Sequence, residues 1–92
     1  MHFTYLLRCA DGSLYVGQCS DLSARVAMHN HGEGAAFTAS RRPVWLAWSE
    51  AHESETAARA RERQLKKWTR AKKESMVSGD MEALHLLSRS RD

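Results

Sequence analysis

The chain has 92 residues, a net charge of +3, 42% hydrophobic residues and two cysteines. That is one domain, large enough for a modest core without disulfides or a structural metal. Cys9 and Cys19 make neither a disulfide scaffold nor a metal knuckle, and no stretch approaches the ~18 apolar residues of a membrane span. The opening His2-Phe3-Thr4-Tyr5 reads as strand rather than basic leader, so a cytoplasmic protein with reduced thiols is expected.

The first two elements are strands over 2–9 and 14–19, apolar-aromatic runs around Asp11-Gly12. Loop length decides what the hairpin presents. A two-residue loop sets Arg8 opposite Tyr15 and sends Tyr5 and Tyr15 to opposite sides of the sheet. A three-residue loop, Ala10-Asp11-Gly12 with Gly12 left-handed, pairs Cys9 with Ser13, Leu7 with Tyr15 and Tyr5 with Gly17. Both phenols then share one face, and Gly17 leaves room where a side chain would crowd Tyr5. We favour the second register.

A short helix follows over 21–30, capped by Ser20 or Asp21. Leu22, Arg25, Val26 and His29 fall on one of its faces. Arg25 either snorkels from the core edge or meets a phosphate or carboxylate. His29 serves either a site or the helix end, where the dipole favours it. The contiguous His29-Asn30-His31 is poor evidence for the nucleases named after those residues, which scatter them through another fold. The five histidines show no spacing that makes a zinc site.

Residues 31–42 read as a glycine-containing loop and 43–49 as a third strand. Trp45 and Trp48 are three apart and so are expected on opposite faces, packed or, for one of them, open to base stacking. A long helix is expected over 54–74, opened by Ser54 or Glu55, with no proline or glycine before Gly79. Asp80 can cap a last helix over 80–88 with Met81, Leu84 and Leu87 at helical spacing. The ββαβαα order predicts an α+β fold with a small, three-stranded, mainly antiparallel sheet flanked by helices. A domain over 1–78 would carry 79–92 as a helix and tail packed on it.

Charge is uneven along the chain. Residues 57–73 hold eight basic side chains and one acid, Glu62, a local charge of +7, which is the footprint of either a polyanion site or a solvated helix face. Glu62 shares its helical stripe with Ala58, Leu65 and Thr69, so it leans toward the body. It can pair with Lys66 at i+4 or serve as a lone protein carboxylate on a hydrated Mg²⁺.

Several of these features recur together elsewhere. Tyr5, Tyr15-Val16-Gly17, the helix around Arg25 and His29, the segment Gly32 to Thr38, Arg41-Arg42-Pro43-Val44 and Arg61 to Trp68 stand in an order that resembles the GIY-YIG nuclease domain, in its small standalone bacterial (YhbQ-like) branch. The resemblance covers roughly residues 3–75. The first motif's Gly-Ile is Phe3-Thr4 here, a lysine often found after the second motif is Gln18, and an asparagine common downstream of the metal-binding glutamate has no counterpart.

The resemblance implies metal-dependent hydrolysis of DNA phosphodiesters, in repair, recombination or processing. Glu62 would hold one Mg²⁺ or Mn²⁺, Arg25 would contact phosphate, Tyr15 would activate water, Tyr5 would position it, and His29 would assist. Gly17 would be structural at the site. Thr38 and Arg41, in a Thr-x-x-Arg segment like the family's, would contact backbone phosphates, and Lys66, Lys67, Arg70 and Lys73 would track the nucleic acid. Single strands, branched or damaged duplexes and RNA all fit as substrates, and no membrane partner is expected. The alternative is a non-catalytic nucleic-acid-binding module using the basic stretch.

Overall fold

The computed structural model describes residues 1–80; the helix expected over 80–88 and the tail over 79–92 fall almost entirely outside them. Strands β1 (His2–Arg8), β2 (Leu14–Cys19) and β3 (Trp45–His52) form one sheet in the order β2-β1-β3, antiparallel throughout. Between β2 and β3 lie helices α1 (Leu22–Asn30) and α2 (Ala36–Ala39); after β3 come α3 (Glu55–Lys66) and α4 (Arg70–Ser78). The fold is α+β, with the three-stranded sheet covered by helices.

The hairpin adopts the three-residue loop. Cys9 and Ser13 close it through Cys9 N–H to the Ser13 carbonyl at 2.9 Å, and Gly12 sits at φ 88°, a left-handed conformation that side chains resist. Leu7 faces Tyr15 and Tyr5 faces Gly17.

This register divides the core in two. Tyr5, Leu7, Cys9, Cys19 and Val44 pack on one side of the sheet, joined by Phe3, Tyr15 and α1's Leu22 and Val26. Leu6, Leu14 and Val16 pack on the other against Leu65 of α3 and Met76 of α4. Buried Thr4 belongs to the second side and donates its hydroxyl proton to the Ala58 carbonyl of α3 at 2.9 Å.

Four local expectations are corrected. The segment 31–42 contains one helical turn, α2, where the Thr38 hydroxyl donates to the Ala35 carbonyl at 3.1 Å. The third strand starts at Trp45 rather than 43 and runs to His52. Asn30 takes Val44's backbone groups instead, accepting its N–H at 2.7 Å and donating to its carbonyl at 2.9 Å. A bulge opposite Leu6/Leu7 leaves Trp45 across from Arg8 and Trp48 across from Leu6, so the two tryptophans lie on the same face.

The fourth correction concerns the basic helix, which is two helices. Thr69 is extended (φ −65°, ψ 162°) and its hydroxyl accepts the Lys72 N–H at 3.2 Å, capping α4. Contacts with the hairpin hold the new direction. Arg8 makes a two-pronged pair with Glu74, at 2.5 and 2.7 Å, and Arg70 donates to the Gly12 carbonyl at 2.9 Å. Gly79 (φ 77°) ends α4, and Asp80 closes it by donating its N–H to the Ser75 carbonyl at 3.0 Å.

Candidate active site

Tyr5 stands in the middle of the central strand with its side chain under α1, only 1% exposed. Its hydroxyl lies 3.0 Å from His29 Nε2, and His29 Nδ1 lies 2.7 Å from the Thr38 hydroxyl. Thr38 in turn reaches the Ala35 carbonyl. The result is a continuous buried polar chain from β1 through α1 to α2. Tyr15 joins it edge-on, its ring 5.2 Å from the His29 ring, and is half-buried where Tyr5 is enclosed.

Local sequence explains this convergence. Asp21 caps α1 by accepting the Ala24 N–H at 3.0 Å, so the helix begins on schedule and brings His29 to its last turn, over the sheet. Gly17 is the space Tyr5 needs, since a Cβ there would lie 2.4 Å from the phenol's Cζ and oxygen. Gly34 has the same function for His29: a Cβ would come within 2.3 Å of Nδ1.

Burial sets the protonation states. Desolvation pushes the Tyr5 phenol up to about 12, although the nearby Arg25 guanidinium opposes the shift. Desolvation also lowers His29, and Arg25 lowers it further, so the imidazole is neutral at neutral pH. Arg25 therefore acts electrostatically on both groups, and it donates to the Gln18 carbonyl of edge strand β2 at 3.4 Å.

The remaining expected site residues divide. Thr38 is fully buried and its hydroxyl is engaged within the protein, so an internal hydrogen bond stands where a phosphate partner was expected. Arg41 is likewise committed: it pairs with Asp11 at 3.1 Å, donates to the Phe37 carbonyl at 2.8 Å and lies 3.8 Å over the Phe37 ring. That ring stacks on Tyr15 with centroids 5.9 Å apart, so α2 touches Tyr15 through Phe37 and His29 through Thr38.

Glu62 is not joined to the tyrosines by a hydrogen bond or ion pair among the described residues. It stands on α3, which packs on the opposite side of the sheet along β1 and β2, and its carboxylate pairs with Lys66 at 3.2 Å. Its side chain is 18% exposed, consistent with the inward lean expected from its stripe. Lys67 and Lys73 have no side-chain partner among the described residues, nor does Arg63. Arg70 is held by Gly12 and Glu74. Arg63, Lys67 and Trp68 line a groove between α3 and α4, with Lys72 stacked 4.6 Å over the Trp68 ring.

A phenol, an imidazole and a guanidinium gather beside a second, more open phenol, groups whose chemistry can move protons and stabilise an anion. The GIY-YIG catalytic domain model matches residues 1–75, nearly all of the described chain. The chain belongs to the GIY-YIG family. UPF0213 proteins of Staphylococcus aureus strains Mu3 and N315 are each 46% identical over 76 residues, covering 83% of this chain and 93% of theirs. The solution NMR structure of UPF0213 protein BH0048 from Bacillus halodurans is similar in fold, with TM-score 0.54 and 39% identity over 84% of this chain and 82% of that one. The family is one of nucleases, which generally use a divalent metal.

The donor set in this GIY-YIG domain limits how such a metal could be held. Among the described residues no group of three or more histidine, cysteine or carboxylate side chains could hold a metal ion. A lone carboxylate, partly exposed and paired among the described residues only with a lysine at i+4, fits an ion that keeps most of its water, as Mg²⁺ does.

Sequence reasoning missed two residues at the site. Asn30 fixes the start of β3, and Gly34 lets the loop lie against His29. The second could have been read from a glycine five residues beyond the histidine; the first had no local signal.

Proposed function

We propose that this GIY-YIG domain is a metal-dependent endonuclease that hydrolyses DNA phosphodiesters. The observation that carries the reading is the buried Tyr5–His29–Thr38 chain meeting Tyr15 and Arg25 at one end of the hairpin. Tyr15 is the more open phenol and is assigned to steering and deprotonating the attacking water. Tyr5, whose proton is held more tightly than that of a free phenol, positions rather than deprotonates. Arg25 stabilises charge developing on the phosphate. Glu62 would hold one Mg²⁺ or Mn²⁺, which supplies Lewis-acid polarisation of the phosphoryl group when bound.

On this reading the scissile phosphate sits at the rim formed by edge strand β2, where Arg25 reaches from one layer and α3 runs along the other. Lys67 and Lys73, with Lys66 and Arg70 beside them, would track the backbone. Purified protein incubated with labelled single-stranded, flapped, junction-containing and intact duplex DNA, with and without Mg²⁺ or Mn²⁺, tests it. Cleavage that appears only with metal supports the proposal. Salt-sensitive binding without cleavage on every substrate would establish the non-catalytic binding module instead.

A further inference from the structure

We infer that Thr38 is a positioning residue that holds His29 as its Nδ1-protonated tautomer, leaving Nε2 as the acceptor of the Tyr5 hydroxyl proton.

The assignment follows from the donors and acceptors along the chain. Arg25, close enough to the phenol to counter its desolvation, can only donate, so the Tyr5 oxygen is available to it as an acceptor. The proton of that buried hydroxyl must go to an acceptor, and the partner it meets is His29 Nε2 at 3.0 Å. Nε2 is then unprotonated. A neutral imidazole carries its one proton on Nδ1, which lies 2.7 Å from Thr38 Oγ. Thr38 has a single hydroxyl proton, directed to the Ala35 carbonyl at 3.1 Å, so its oxygen is free to accept from Nδ1. Reading from Tyr5 inward and from Ala35 outward gives the same tautomer.

The loop is shaped for this contact. Thr38 lies in the only turn of α2, and Gly34 brings the preceding backbone against the imidazole, where no Cβ could fit without displacing the ring. Two positions outside the tyrosine hairpin thus determine which nitrogen faces it. Asn30, one residue beyond His29, anchors the same helix end to Val44 from the other side.

The inference concerns the site read above as a nuclease centre, yet its first test needs no turnover. Long-range ¹H–¹⁵N correlation spectra of the full chain report which imidazole nitrogen carries the proton. In the unmodified protein at neutral pH, His29 should show a protonated Nδ1 and a bare Nε2. A proton on Nε2, or a fully protonated ring, overturns the assignment. Thr38→Val removes the acceptor and should shift His29 away from the single tautomer, whereas Thr38→Ser should retain it. Gly34→Ala should disturb the ring as Thr38→Val does. In cleavage assays Thr38→Val should lower kcat by up to about 10²-fold, the scale of a 1 Å misplacement, with KM little changed. Thr38→Ser should recover most of that activity. An unchanged tautomer in folded Thr38→Val also overturns the inference, and if that variant does not fold, the spectra of the unmodified and serine proteins decide. The predicted tautomer in a protein that cleaves no nucleic acid would support the positioning role and reject the nuclease reading alone.

Discussion

The two faces of the sheet are built by different rules. The tyrosine face is closed by α1 and α2 and contains polar groups that must all be satisfied: a phenol, an imidazole and a threonine hydroxyl, each bonded to the next. The opposite face is closed by α3 and α4 mainly through Leu6, Leu14, Val16, Leu65 and Met76, with Thr4, bonded to Ala58, and Lys72 of α4 as its buried polar members. Apolar packing is tolerant of direction, whereas a hydrogen-bonded chain fixes rotamer and tautomer together. The first face fixes the geometry of the groups proposed for chemistry. The second supplies stability and carries Glu62, the proposed metal ligand.

Substitutions on each side can break this division. Leu65 is fully buried, and Leu65→Ala should cost about 2–5 kcal/mol in urea unfolding while leaving turnover per folded molecule unaltered. A specific fall in kcat in folded protein would show that Leu65 also positions Glu62, three residues before it on the same helix. Glu62→Gln should reduce cleavage by on the order of 10²-fold or more if the carboxylate holds the metal, while metal-free DNA affinity holds or rises. If Glu62 only pairs with Lys66, the change costs about 0.2–0.5 kcal/mol and cleavage persists.

Smaller effects sharpen the contrast. Gly17→Ala forces a methyl into the Tyr5 ring and should destabilise the fold by about 1–3 kcal/mol, read as a lowered Tm. Replacing Lys66, Lys67, Arg70 and Lys73 with glutamine should make log K less steep against log salt. The slope should fall by about 0.9 for each duplex phosphate no longer neutralised, or about 0.7 on a single strand. An unchanged slope would mean that the exterior charge is only solvated. Last, His29 is depressed in the folded state, so the unfolded chain binds the proton more readily. Its contribution to stability should be full above the unfolded histidine value of about 6.5 and should vanish as pH falls through the lower folded value. Thermal unfolding across that range should weaken toward acid, and His29→Gln should flatten the dependence.

The hairpin register was legible because two independent local signals agreed, a left-handed glycine in the loop and a missing side chain opposite Tyr5. The inward stripe of Glu62 and a cap at Ser20 or Asp21, of which the structure uses Asp21, were legible for the same reason: both depend on near neighbours. The break before Arg70 was not. No glycine or proline marks it, and the Arg8–Glu74 pair that holds α4 joins positions far apart in sequence. The bulge that brings Trp45 and Trp48 to one face also depends on β1, so counting alternation within β3 missed it. Thr38 was read as a phosphate contact from its place near an arginine, and its burial against His29 was not legible because it depends on the chain folding back.

The separation of the two cores also bears on the order in which the chain closes. Among the described residues, every member of the tyrosine-side core lies between Phe3 and Val44, with α1 following directly on the hairpin. The other core joins Leu6 to Leu65 and Met76, so ordering it means closing much longer loops. Local contacts form sooner than distant ones. The half that holds the tyrosines and His29 is therefore the one that chain topology favours for early closure, and Thr4's hydrogen bond to Ala58, 54 residues apart, is among the long-range contacts that α3 brings to the other side of the same strand.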